Sequence, residues 1–185
     1  KISKEDPRID GSDLPPAIIH LKDTCGSFAF DYQSIYSPAG LNPDNTGVIG
    51  LDDFDSSWGI WGHNLRKVLG ANTEKVYATI NGKANDSQLC FSSGEMFRLI
   101  ESYITDNFGE KGKFRFVIAP DDTPYACTCP SCTAIGNTEK NATPAVTELI
   151  LRLSQRFPRH FFFTTSYLTT QQVTDKQLPP NAGVI

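Results

Sequence analysis

The feature that most constrains this chain is a short unbroken apolar run, FRFVIA at 114–119. It is followed at once by an acidic, cysteine-rich segment, PDDTPYACTCPSC at 120–132. A run of that length, rich in Phe, Val and Ile and closed by Pro, reads as a buried strand. In α/β proteins the loops that leave such strands at their carboxyl ends are where ligands gather. Residues 120–132 are therefore the first candidate for a functional edge.

The rest of the chain alternates between strand-like and helix-like patterns. Residues 18–21 and 28–36 (FAFDYQSIY) read as strands, and 37–55, with its Pro, Gly and Asn clusters, as a long loop. Residues 57–69 place Trp58, Trp61, Leu65, Val68 and Leu69 at helical spacing, with Gly70 as a stop. Residues 76–80 form a short strand, and Asn81-Gly82 a turn after it. Ser92-Ser-Gly-Glu95 has the spacing of a capping box before a helix that runs to Gly109. Thr143-Pro144 supplies a cap and a first-turn proline for a helix with Val146, Leu149, Ile150, Leu153 and Phe157 on one stripe. HFFFTT at 160–165 is a further strand, and 183–185 opens another.

Strands alternating with helices predict βαβ units and a mostly parallel sheet. The 185 residues amount to about one domain, with 1–27 as an N-terminal lead-in and 28–185 as the α/β segment. A full (β/α)8 barrel typically takes about 250 residues, so the expectation is an incomplete, TIM-barrel-like segment with parallel strands. A net charge of −4 and a pI near 5.3 argue against a nucleic-acid partner. No run reaches the roughly 18 apolar residues of a membrane span. The opening KISKEDPRID lacks the pattern of a secretory signal, so an exported chain would be met here after cleavage.

Three constellations can carry chemistry. Asp121 and Asp122 sit just past the buried strand. Two neighbouring carboxylates can keep one protonated as an acid while the other orients a substrate, a division of labour suited to sugar chemistry; the plain alternative is a solvated turn. Cys127, Cys129 and Cys132 form the second group. Cys129-x-x-Cys132 is the spacing at which two thiolates chelate one tetrahedral metal, and Cys127 adds a third ligand. A closed structural zinc site needs a fourth, for which Cys90, His63 and His160 are the candidates. A disulfide, with Cys90 as partner, and free buried thiols are the competing readings. A redox C-x-x-C pair opens a helix, and Pro130 and the Gly/Asn-rich stretch after it argue against that placement. The third group is WGIWGHN at 58–64. Trp61 offers an apolar face to a sugar ring, and His63 and Asn64 can bond hydroxyls. Trp58 and Trp61 also suit a core stripe. Tyr32, Gln33 and Tyr36 are further aromatic and polar contacts for a carbohydrate.

Taken in order, WGIWGHNL (58–65), VYATINGK (76–83), QLCFSS (88–93), FVIAPDD with CTCPSC (116–132) and NATPAVTELILRLSQRFP (141–158) resemble the family described as domain of unknown function 4838. The family is exported and of Bacteroidetes type, and the resemblance runs over roughly residues 28–185. It is similar in turn to the catalytic barrel of alpha-glucuronidases. The resemblance implies a glycoside-hydrolase-like (β/α)8 architecture, a periplasmic or cell-surface location and the handling of polysaccharides or glycans, with no cofactor required for chemistry. The family's acid before a C-x-C-x-x-C loop falls on Asp122, Cys127, Cys129 and Cys132, and its W-G-H-N segment on Trp61–Asn64. Asp121 stands where relatives carry Asn, which moves the weight from the acid pair to Asp122. The leading expectation is a glycoside-hydrolase-like barrel segment acting on glycans, with Asp122 as general acid or substrate-orienting carboxylate and His63, Asn64, Tyr36 and Trp61 as substrate contacts. Its rivals are a non-catalytic carbohydrate-binding or scaffold domain, and a protein whose cysteine loop is ordered by a metal.

Overall fold

The structure, a computed structural model, describes residues 58–185 together with Asn42. The strands expected at 18–21 and 28–36, the loop at 37–55, the lead-in at 1–27, and Cys25, Tyr32, Gln33 and Tyr36 lie outside the described residues.

The described chain is mixed α/β. Its main sheet has four strands: β1 (Trp58–Ile60), β4 (Arg115–Val117), β5 (Phe161–Thr164) and β6 (Ala182–Val184). They lie side by side in chain order, and every neighbouring pair is parallel. Parallel neighbours require crossovers. Between β1 and β4 come α1 (Leu65–Leu69), a 3-10 segment (Gly70–Val76), a hairpin and α2 (Gly94–Phe108). Between β4 and β5 come the cysteine loop, α3 (Pro130–Ala134) and α4 (Thr143–Arg156).

The hairpin joins β2 (Tyr77–Ile80) to β3 (Lys83–Leu89), antiparallel to it. Asn81 and Gly82 turn the chain with φ of 52° and 73°. Two successive left-handed residues make the turn whose twist matches paired strands, which is why an Asn-Gly pair stands there.

The core is built where the helical stripes meet the sheet. Met96, Ile100 and Ile104 of α2 and Val146, Leu149, Ile150 and Leu153 of α4 are buried against Phe116, Ile118 and Phe162. His160 is fully buried among Phe114, Phe116 and Phe157. Its Nε2 donates to the Gly109 carbonyl at 2.8 Å and its Nδ1 accepts from Phe114 N–H at 3.4 Å. With both ring nitrogens committed to the backbone, His160 is a core residue and not the fourth metal ligand.

Three expected elements are corrected. Trp58 does not begin a helix: it lies in β1, and α1 starts only at Leu65. Gly59 explains the strand, because a Cβ there would fall 2.2 Å from the buried Phe116 ring, so β1 reaches β4 only with glycine. The cap of α2 is Ser93 rather than Ser92, its hydroxyl accepting from Glu95 N–H and Met96 N–H. Ser92 is thereby free to face the cysteines. The cap position of α4 is Ala142, with Thr143 already helical. The side chains that take its first amides are Asn141, from Thr143 N–H, and Asn137, from Ala145 N–H, each at 3.0 Å.

Candidate metal centre and strand-end site

Four cysteines converge from two parts of the chain. Cys90 follows directly on β3, and Cys127, Cys129 and Cys132 come from the loop after β4. All four are free thiols, and their Sγ atoms lie within 4.8 Å of one another. Cys90 Sγ is 3.7 Å from Cys129 Sγ and 3.8 Å from Cys132 Sγ. A disulfide needs about 2.05 Å. A tetrahedron of thiolates at about 2.3 Å from a central zinc has edges of about 3.8 Å. The spacing matches the second figure. The group can therefore hold a metal ion, and the fourth ligand left open among Cys90, His63 and His160 is Cys90.

Local structure aims the sulfurs inward. Cys129 caps α3, and its Sγ accepts from Cys132 N–H at 3.5 Å, while Pro130 opens the helix. The C-x-x-C pair does sit at a helix start, contrary to expectation, because the proline that seemed to separate it from a helix occupies the first turn. Thr79 N–H of β2 donates to Cys127 Sγ at 3.2 Å. Ser92 Oγ lies 3.0 Å from Cys132 Sγ and 3.5 Å from Cys90 Sγ. Asn137, buried at the foot of α4, donates to the Cys127 carbonyl at 3.2 Å. These outer bonds fix ligand orientation and favour thiolate.

The thiols share one another's protons. Hydrogen bonds from Cys132 and Cys90, together with backbone N–H groups, hold the Cys127 thiol down to about 2. The Cys90 thiol is pushed up to about 11, chiefly by its bond to Cys127, and the Cys132 thiol is pushed up by its bonds to Cys127 and Cys90. One thiolate is favoured and opposes the next, as expected for ionisable thiols crowded together.

Beside the sulfurs, at the carboxyl end of β4, Asp121 and Asp122 part company. Asp121 is half-buried and paired with Arg66, whose Nε donates at 2.8 Å and Nη2 at 2.6 Å. This pairing raises the Arg66 pKa. Asp122 is exposed and bonded to the hydroxyl of Tyr167, whose pKa it raises. His63 stands near them: its Nδ1 donates to the Pro120 carbonyl at 2.5 Å, and its ring lies 6.0 Å from that of Tyr167. Asp122, His63 and Tyr167 thus share one exposed edge of the parallel sheet. Tyr167 had no sequence signal, since it lies 45 residues beyond Asp122.

Asn64 is committed locally, donating to the Trp61 carbonyl at 2.6 Å. Trp61 packs edge-on against Trp58, with centroids 4.8 Å apart. Trp61 and Asn64 line a cleft of about 180 Å³ that also includes Lys67 and Tyr103.

Fold and site define a parallel α/β domain with a four-thiol centre beside its strand-end edge. Residues 62–185 match the family described as domain of unknown function (DUF4838), and the chain belongs to that family. No curated protein and no solved structure matches it. Among the described residues, no helix is long and apolar enough to cross a membrane.

Proposed function

We propose that this chain is a glycan-handling domain of (β/α)-barrel type whose strand-end loop is stapled by a structural zinc ion on Cys90, Cys127, Cys129 and Cys132. The observation that carries the metal is the sulfur spacing of 3.7 and 3.8 Å. Four sulfurs within 4.8 Å enclose one ion and leave it no open position, which suits a structural role over a catalytic one. An all-thiolate tetrahedral set selects zinc or iron among common metals. In an exported protein, bound metal would also shield four adjacent thiols from the oxidation that compartment favours. Elemental analysis of the chain purified without added metal should give about one zinc per chain, lost in Cys129→Ser. A preparation with no stoichiometric metal overturns this reading.

The glycan reading rests on the shared edge of Asp122, His63 and Tyr167. Parallel strands laid side by side in chain order are what a (β/α)8 barrel requires, and such folds act at this end. Asp122 is free of the guanidinium that neutralises Asp121, so it is the carboxyl available to donate a proton or orient a hydroxyl. With Nδ1 held by Pro120, His63 offers Nε2 to a ligand. Turnover of a glycan panel by the complete protein, compared with Asp122→Asn, tests this. Loss of a positioned acid costs typically 10²–10⁴-fold, so a rate near wild type removes Asp122 from the chemistry. Binding without turnover would favour the non-catalytic form of the reading.

A further inference from the structure

Gln88 lies two residues before Cys90, and side chains two apart on an extended strand project from one face. Both project onto the loop after β4. Gln88 is only 1% exposed, and its amide is used in full. The two Nε2 hydrogens are shared among the Asp121 carbonyl at 3.2 Å, Thr123 Oγ1 at 3.1 Å and the Tyr125 carbonyl at 3.2 Å. Oε1 accepts from Asp121 N–H and Leu89 N–H, each at 3.0 Å. One buried side chain therefore gathers the whole turn 121–125. Further along the same seam, Thr128 N–H bonds the Thr79 carbonyl at 2.8 Å and Thr79 N–H bonds Cys127 Sγ.

We propose that metal held by the four sulfurs sets the position of the acidic turn at a distance, with Gln88 as the positioning residue that carries the coupling. The inference rests on the zinc reading and extends it to regulation of the strand-end site. An ion drawing Cys90 towards Cys127, Cys129 and Cys132 also draws the end of β3 against the loop. Leu89, which joins the two along the chain, is fully buried and paired with Tyr77 of β2, so Gln88 and Cys90 share one anchored stretch of backbone. The turn that presents Asp122 is then held by the same closure.

Coupling of this kind is reciprocal: if the metal steadies the turn through Gln88, removing the Gln88 bonds weakens metal binding by the same factor. The test measures zinc affinity of the full chain by competition with a chromogenic chelator. Gln88→Met keeps the shape and deletes the bonds, and Gln88→Ala deletes both. Each should bind zinc roughly 10-fold more weakly, the scale of an outer-shell partner. Amide exchange at 121–125 should quicken both in wild type on chelation and in zinc-loaded Gln88→Met. Phe162→Leu, a buried change in β5 that alters no bond of this seam, should keep wild-type affinity. Unchanged affinity in both Gln88 variants overturns the coupling while leaving the zinc site intact. An equal loss in Phe162→Leu overturns it as well, since the effect would then be general destabilisation. A wild type that binds no zinc refutes the underlying metal reading instead.

Discussion

Cys90 Sγ and Cys129 Sγ lie 3.7 Å apart although 39 residues separate them. The contact closes the hairpin onto the loop that follows β4. With metal bound, that closure contributes directly to folding, because an unfolded chain holds no preformed site. Cys90→Ser should therefore lower the melting temperature to that of the chelated wild type and make it insensitive to chelator. Ser92→Ala removes only an outer contact, so it should keep the metal and weaken its affinity roughly 10-fold. Thermal unfolding with and without chelator checks both.

Proton release on metal uptake follows from the thiol cluster. With Cys127 held down to about 2, that group enters as thiolate and releases nothing at neutral pH. Cys90, raised to about 11, and Cys132, also raised, enter protonated and must each give up a proton. Zinc binding near pH 7 should release at least those two protons, measurable as acidification of a weakly buffered solution. The same shifts act on the metal-free fold. Raised thiols favour the folded state fully below the unfolded thiol value of about 8.5, and that advantage fades as pH climbs towards the folded value. The depressed Cys127 contributes above the unfolded value and loses its contribution as pH falls. Metal-free protein should thus melt lower as pH rises from about 9 towards 11, while the zinc form, already all thiolate, should not share that slope.

The parts of this molecule written in local chemistry were legible in sequence. Asn81-Gly82 announced its turn, the stripe from Val146 to Phe157 its helix, and FRFVIA the buried strand. β3 was not legible: KANDSQL is polar and mostly exposed, so it carries no alternation, and only pairing with β2 makes it a strand. Trp58 mimicked a helix because its spacing to Trp61, Leu65 and Leu69 fits a helical turn. What breaks that pattern is Gly62, at φ 57°, and the close approach at Gly59. Three ligands of the sulfur centre were visible as a motif. The fourth remained one of three candidates, Gln88 went unnoticed and Ser92 was read as a helix cap, because their partners lie 33 to 40 residues away.

Gly59→Ala should be more damaging than its single methyl suggests. The added Cβ would overlap the Phe116 ring at 2.2 Å, and that ring is fully buried and packed against Phe108, Phe162 and His160. Overpacking of this kind costs about 1–3 kcal/mol. Denaturant unfolding should show the loss in the midpoint. Adding Phe116→Leu should recover part of it, since the smaller side chain vacates the contested space.

His160→Ala should cost about 2–5 kcal/mol, because it empties an aromatic-lined site and strands the Gly109 carbonyl and Phe114 N–H together. His160→Gln can restore one of the two bonds and should recover part of the loss. Neither change should alter zinc content, which would separate this histidine from the metal centre by elemental analysis alone.

Asp121 and Asp122 should respond oppositely to the same substitution. Asp121→Asn removes the charge that Arg66 grips, while Arg66 keeps its bond to the Asp86 carbonyl at 2.5 Å and its place over the Tyr77 ring. The pair is partly solvated, so the stability lost should be at most about 1 kcal/mol. The turn is still tied by Gln88, so glycan binding or turnover should stay within a few-fold of wild type. Asp122→Asn touches no ion pair with Arg66 and sits on the exposed edge, so its melting temperature should be unchanged. Its effect should fall on the glycan, and on Tyr167, whose phenol should titrate lower once the carboxylate is gone. Ultraviolet titration of tyrosinate follows that shift without any substrate. A phenol unmoved by Asp122→Asn would separate Tyr167 from Asp122, and with it the three-residue edge on which the glycan reading stands.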